Sequence, residues 1–340
     1  MTIFSKLNGF FSRHRNKFIV GGIIITGSVL LTRYAQQRLK EWQERETKEF
    51  LERNRKQNHF ESISRTCNQT IINLTAALFE AVCTSLNTDE IIDDLKNNPN
   101  NKVENWNNLK SLVFAKSCLI IYSTVMLVVT LKIQLSIIGD PNSVPNDMQE
   151  KYLSHCQSFL NLGVPKLAAI MLNEVKKTME PIDLKKQMKL SDIEALYWAI
   201  QSALATNNEN PVDQFRKYIF HDHIPDENNI YNDILRDTAD FLDSEEVKSL
   251  TTHCINRAFI LLGDQVAEFY TQNGSKLPPA VTNVASDFLN PFDVKKPLAK
   301  LIPITNGLLS KPSFPQHLVQ QLITNEKIQN LSANVYESLL

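Results

Sequence analysis

The chain has 340 residues, 43% of them apolar, only 9 glycines and a formal net charge of -1. So little glycine excludes the phosphate-cradling loops of dinucleotide and P-loop folds and the Gly-rich turns of sandwiches and barrels. The charge is split: residues 1–60 carry 12 Lys/Arg against 5 Glu, and residues 61–340 carry 24 Lys/Arg against 32 Asp/Glu. A basic head on an acidic body fits a head that meets anionic lipid or a targeting receptor, and it argues against nucleic acid.

Residues 1–17 form a basic N-terminal segment. Phe18 to Thr32 (FIVGGIIITGSVLLT) is then uncharged for 15 residues, flanked by Lys17 and Arg33. As a helix it is about 22 Å long, short of a hydrocarbon core of ~30 Å. Snorkelling of the flanking cations and local thinning make up the difference, so 18–32 reads as a transmembrane anchor. A cleaved signal peptide lacks its small-x-small site here, and a buried core helix fits poorly with charges on both sides. Similar Lys/Arg counts on the two flanks leave the orientation open.

Residues 33–60 read as a charged helical stalk. Glu41–Arg45, Glu44–Lys48, Glu49–Arg53 and Glu52–Lys56 stand at i,i+4 in the favourable order, with only Leu39, Trp42 and Phe50 as apolar contacts. An exposed helix of a globular domain is the plainer alternative.

The body, 61–340, has helical punctuation. Ile71, Leu74, Leu78, Val82 and Leu86 follow a helical stripe. Asn87 and Glu90 resemble a capping box opening a helix from Thr88 to Lys96. A run from Lys102 to Ile138 follows, closed by Gly139 and Pro141. Its middle, Ser117–Leu131, is uncharged for 15 residues and reads as a helix buried on all sides, with a second membrane span as the alternative. Further amphipathic runs occupy 150–161, 166–180, 191–206 and 245–272. Seven prolines between 278 and 315 mark a wandering connector with room for short helical turns, and a helix over about 315–338 closes the chain. The expected fold is all-α: an elongated multi-helix bundle with one very long central helix, plus the N-terminal anchor helix.

No catalytic, cofactor or metal constellation stands out. His221-Asp222-His223 lacks further ligands nearby. Cys67, Cys83, Cys118, Cys156 and Cys254 are odd in number, without C-x-x-C, and lie in apolar runs, which points to core residues in a reducing compartment. Trp106 is different. Helix spacing sets Lys102, Trp106, Leu109 and Val113 near one stripe, and the preceding helix ends at Leu95-Lys96. A turn at Pro99 folds the two helices together, giving an apolar groove with a Trp wall and a basic rim, suited to an amphipathic partner helix. Ordinary core is the competing reading of Trp106.

Several segments, in order over nearly the whole chain, resemble the peroxisomal biogenesis factor three (peroxin three) family. They include Arg65-Thr66-Cys67-Asn68-Gln69-Thr70, Asn101-Lys102-Val103-Glu104-Asn105-Trp106-Asn107-Asn108-Leu109-Lys110 and Tyr122-Ser123-Thr124-Val125-Met126. Pro297-Leu298-Ala299-Lys300-Leu301-Ile302-Pro303-Ile304 and Ala333-Asn334-Val335-Tyr336-Glu337 complete the series. Residues 165–250 match poorly. The resemblance implies a non-enzymatic peroxisomal membrane protein with its N-terminus in the organelle and a cytosolic helical body. It implies docking of the shuttling chaperone-receptor (peroxin nineteen) that delivers peroxisomal membrane proteins, through an amphipathic helix of that partner. The family's groove residues fall on Leu95, Lys102, Trp106 and Leu109. Membrane lipid is the other implied partner; no nucleic acid, small-molecule substrate, cofactor or metal is. Two alternatives stand beside it: a peroxisomal tether recruiting autophagy or inheritance factors, and a lumenal type II membrane enzyme, for which the sequons at Asn68, Asn73, Asn273 and Asn330 would matter.

Overall fold

The computed structural model describes the backbone of residues 3–97, 101–139, 144–220, 229–271 and 293–338, and side chains from residue 33 onward within those ranges except at 271. The chain divides into two units, residues 1–61 and 62–340.

In the first unit everything from Ile3 onward is helix, the beginning of α1 (Ile3–Ser85). The backbone of 18–32 is helical, and the side chains of this anchor segment lie outside the described residues. Residues 33–58 are exposed all round, including Leu39, Trp42 and Phe50. Of the four expected ion pairs, Glu49–Arg53 forms at 3.6 Å. Glu41 and Glu44 instead reach back to Arg38 (3.9 Å) and Lys40 (4.0 Å). Such exposed pairs differ by only tenths of a kcal/mol, so the sequence order alone does not choose between them.

The second unit is built around one helix. Residues 62–85 of α1 are followed by α2 (Asp89–Asn97) and then by α3 (Lys102–Ile138), which has 37 residues and extends about 55 Å. α3 has no polar face. Its most apolar stretch is 94% buried, against protein on every side. Around it pack α4 (Asn146–Ser158), α5 (Val164–Met179), α8 (Ile230–Asp243), α9 (Glu245–Thr271), α10 (Leu298–Leu309), α11 (Ser313–Ile323) and α12 (Glu326–Ser338). Ser117–Leu131 is therefore a core element, covered by other helices of the same unit. α6 (Leu190–Ala205) and the short α7 (Phe215–Ile219) complete the helices among the described residues.

Most buried polar groups of α3 find partners, although the hydroxyls of Thr124 and Thr130 have none among the described residues. Ser117 Oγ donates to the Phe114 carbonyl at 2.7 Å and lies 3.1 Å from the Tyr197 hydroxyl. Ser136 and Ser332 join α3 to α12 at 2.7 Å. Gln134 donates to the Tyr152 carbonyl (3.1 Å) and accepts from the Cys156 thiol (2.9 Å). Two buried lysines reach oxygens on other segments. Lys132 Nζ donates to Asn68 Oδ1 at 2.9 Å, and Lys110 Nζ donates to the carbonyls of Met179 and Ile182 at 3.0 and 2.8 Å. Burial holds both amines below the usual lysine range, and Asp183 offsets part of this at Lys110.

The expected end of α3 at Gly139 is where it stops, with the glycine at φ +49° and its N–H on the Leu135 carbonyl. A Cβ there would sit 3.5 Å from the Tyr336 ring. Other boundaries differ from the sequence expectations. α2 starts at Asp89, and Asn87 Oδ1 accepts the Asp89 N–H at 3.1 Å, so Asn87 caps from one residue further out than a capping box would. Between α4 and α5 the helix continues through a π turn, Phe159–Gly163, in which the Val164 N–H reaches the Phe159 carbonyl. Pro165, without an N–H, could not complete the ordinary ladder at this point.

The closing helix expected over 315–338 is two helices, parted at Thr324 and Asn325, where Asn325 Oδ1 accepts the Lys327 N–H at 2.9 Å. The proline-rich connector is also shorter than expected. α10 forms despite Pro303 because Leu298, Leu301, Ile302 and Leu309 are buried. It is entered through a two-residue antiparallel pairing of β1 (Gln187–Met188) with β2 (Lys296–Pro297). α8, not expected, opens on Asn229, whose side chain accepts the Asn232 N–H at 2.8 Å.

All five cysteines are free, and Cys67, Cys118, Cys156 and Cys254 are buried. Burial pushes Cys67 and Cys254 up to about 11 and Cys118 and Cys156 up to about 12, from 9.0. Above pH 9 the unfolded chain releases these protons and the folded chain does not, so stability is intact below pH 9 and falls from there up to the folded values. Urea unfolding under reductant should therefore show a lower free energy at pH 10 than at pH 8. Cys118→Ala should flatten the slope by about 1.4 kcal/mol per pH unit, one proton's worth. Gly139→Ala should cost about 1–2 kcal/mol, the strain of a left-handed residue bearing Cβ, read as a lower unfolding midpoint.

Candidate functional site

α2 and α3 lie against each other; the turn expected at Pro99 between them lies outside the described residues. Their facing sides and one edge of α10 enclose a cleft of about 400 Å³. Its lining comprises Ile92, Leu95 and Lys96 of α2, Lys102, Trp106 and Leu109 of α3, and Pro303, Asn306 and Gly307 of α10. All four residues singled out in the sequence, Leu95, Lys102, Trp106 and Leu109, are thus brought to one place.

Their burial is graded along α3. Lys102 is exposed, Trp106 half-buried and Leu109 buried. Trp106 and Leu95 both pack against the core with part of their surface and line the cleft with the rest. Trp106 is therefore at once an outer core residue and a cleft wall. Leu109 forms the floor. The two basic groups differ: Lys96 is paired with Asp93 at 2.9 Å, whereas Lys102 has no carboxylate partner among the described residues. The single free cation at the rim is thus Lys102, among the described residues that line the cleft.

The third wall was not visible in the sequence. Pro303, Asn306 and Gly307 belong to the stretch read as a connector. Gly307 leaves open space where a side chain would stand. Asn306 is buried, yet its Oδ1 has no hydrogen-bond partner among the described residues. A buried acceptor left unpaired costs free energy until a donor arrives. The period of Leu298, Leu301, Ile302, Thr305 and Leu309 could have revealed α10; no local signal could have placed it opposite α2. Nothing in the cleft supplies a nucleophile with an adjacent base. His221, Asp222 and His223 lie outside the described residues.

The sequence model of the Peroxin-3 family matches residues 9–105 and 140–338. The chain belongs to the Peroxin-3 family. The family match takes in Leu95, Lys102 and the α10 wall; Trp106 and Leu109 fall in the interval between its two segments. The chain is also similar to peroxisomal biogenesis factor 3 of Rattus norvegicus, 34% identical over 363 residues, covering 97% of this chain and 96% of that protein. The Homo sapiens protein of the same name is 34% identical over 364 residues with the same coverage. Peroxisome biogenesis protein 3-1 of Arabidopsis thaliana is 23% identical over 217 residues, 54% of this chain and 60% of that protein.

Replacing Asn306 by Leu removes an unpaired buried acceptor at similar volume. The expected result is an unchanged or raised unfolding midpoint, a gain of up to about 1 kcal/mol. A loss of similar size would mean that Oδ1 has a partner in the folded protein.

Proposed function

We propose that the cleft between α2, α3 and α10 receives one face of an amphipathic helix, and that the protein acts as a docking receptor in peroxisome membrane biogenesis. The observation that carries this reading is the half-buried Trp106 over an apolar floor, with one unpaired cation at the rim. Trp106, Leu95 and Leu109 offer a rigid apolar surface for alternate turns of a helix. Lys102 faces an acidic residue of the incoming helix at the rim, and Asn306 Oδ1 waits for a donor. The partner in this proposal, taken from the resemblance to peroxin three, is peroxin nineteen, the shuttling chaperone-receptor of peroxisomal membrane proteins. The relatives' names place the process in peroxisome biogenesis.

In the same proposal residues 18–32 anchor the chain in peroxisomal membrane lipid, 33–60 form a stalk, and 61–340 face the cytosol. Free, buried thiols fit a reducing compartment. Asn68, the first sequon, is half-buried with its Oδ1 held by Lys132, a poor place for a glycan. That counts against the lumenal enzyme.

In calorimetry with the full chain in detergent, Trp106→Ala should weaken binding of the partner's N-terminal helix by about 2 kcal/mol, roughly 30-fold. Gly307→Phe should fill the cleft and block binding while leaving the melting midpoint unchanged. Lys102→Gln should mainly slow association and reduce its salt dependence. Wild-type affinity in both Trp106→Ala and Gly307→Phe would overturn the assignment.

A further inference from the structure

A second cleft, about 560 Å³, lies where α9 meets α11 and the first turn of α12. Its character is opposite to that of the first. His253 and Arg257, one turn apart on α9, His317 of α11 and Lys327 of α12 bring four basic side chains to its lining, against a single carboxylate, Glu326. None of the four basic groups takes part in an ion pair among the described residues. Elsewhere in the unit Lys177, Arg216, Arg236 and Lys248 are each paired with a carboxylate. The N-terminal end of α12 opens onto the cleft at Asn325 and Glu326, adding the positive end of a 13-residue helix. The cations converge: both Arg257 and Lys327 act on the buried Cys254 thiol, each pulling against the effect of its burial. Beneath them the floor is apolar, formed by the buried Ala258, Leu318 and Leu322.

This positive cleft sits in a body with an excess of acidic residues, 32 Asp/Glu against 24 Lys/Arg over residues 61–340. It is a local inversion of charge rather than part of a basic surface. A bilayer or a nucleic acid would bring its negative charge against the whole acidic body, whereas a short peptide places charge only inside the cleft. The apolar floor calls for a side chain between the charges. Cys254, His253 and His317 do not form a group able to hold a metal ion among the described residues.

We propose that the cleft between α9, α11 and α12 binds an acidic peptide segment, with carboxylates on Arg257, Lys327 and the two imidazoles and an apolar side chain on Leu318 and Leu322. The site is separate from the cleft at Trp106 and does not depend on what that cleft binds.

The test uses the full chain in detergent and a fluorescent octapeptide of alternating glutamate and leucine, followed by anisotropy. The double variant Arg257→Gln, Lys327→Gln changes two exposed side chains, so its melting curve should match wild type. Saturable binding is expected, weakened about tenfold or more by the double variant and weakened by added salt. Trp106→Ala should leave it unchanged. The proposal is overturned if the double variant binds as tightly as wild type. It is equally overturned if the glutamine–leucine peptide binds as tightly as the glutamate one, or if phosphatidylserine–detergent mixed micelles displace the peptide at equal negative charge.

Discussion

A helix without a polar face has to be covered all the way round, and α3 imposes that requirement on the second unit. Its residues from Leu109 to Ile138 are nearly all buried, so neighbours from before and after it in the chain are drawn to it. The same requirement explains the lysine amines that reach out of the core. Lys110 ends on carbonyls at the end of α5 and just beyond it, and Lys132 on Asn68 of α1, so each charge finds oxygen where water is excluded. The apolar cleft arises where the cover begins. Toward the start of α3 the wrapping thins, and over two turns the same helix passes from buried Leu109 through half-buried Trp106 to exposed Lys102.

What the sequence made legible follows from this. α3 is long, apolar and bounded by Gly139, and its limits could be read residue by residue because no competing signal opposes them. The stripe of Ile71, Leu78, Val82 and Leu86 was legible for the same reason. α10 was legible only in part: its apolar period is there, but Pro303 and Gly307 carry local signals against a helix, and the burial that overrides them comes from residues far away in sequence. The break at Asn325 was missed in the reverse way. A continuous apolar period hid a single side chain that caps a new helix. At the cleft, four residues share two adjacent helices and could be grouped from spacing. Asn306 and Gly307 lie some 200 positions further on and could not.

The two clefts of the second unit work by different physics. The one at Trp106 offers apolar area and a single free cation, so its strength rests on desolvation and it should tolerate salt. The one at Arg257 and Lys327 offers charge in excess over an apolar floor, so its strength is electrostatic and varies with ionic conditions. Placed on one acidic body, they can be occupied by partners of different composition without either competing for the other's side chains.

The cleft at Trp106 has a history as well as a shape. Two of its walls are complete once residue 109 has been made, and the third is supplied by residues 303–307, after about nine-tenths of the chain. During synthesis the apolar faces of α2 and α3 are therefore present long before the groove is. A chain cut short between Leu109 and α10 would carry Trp106 but no closed cleft. The binding surface thus reports that synthesis has passed α10.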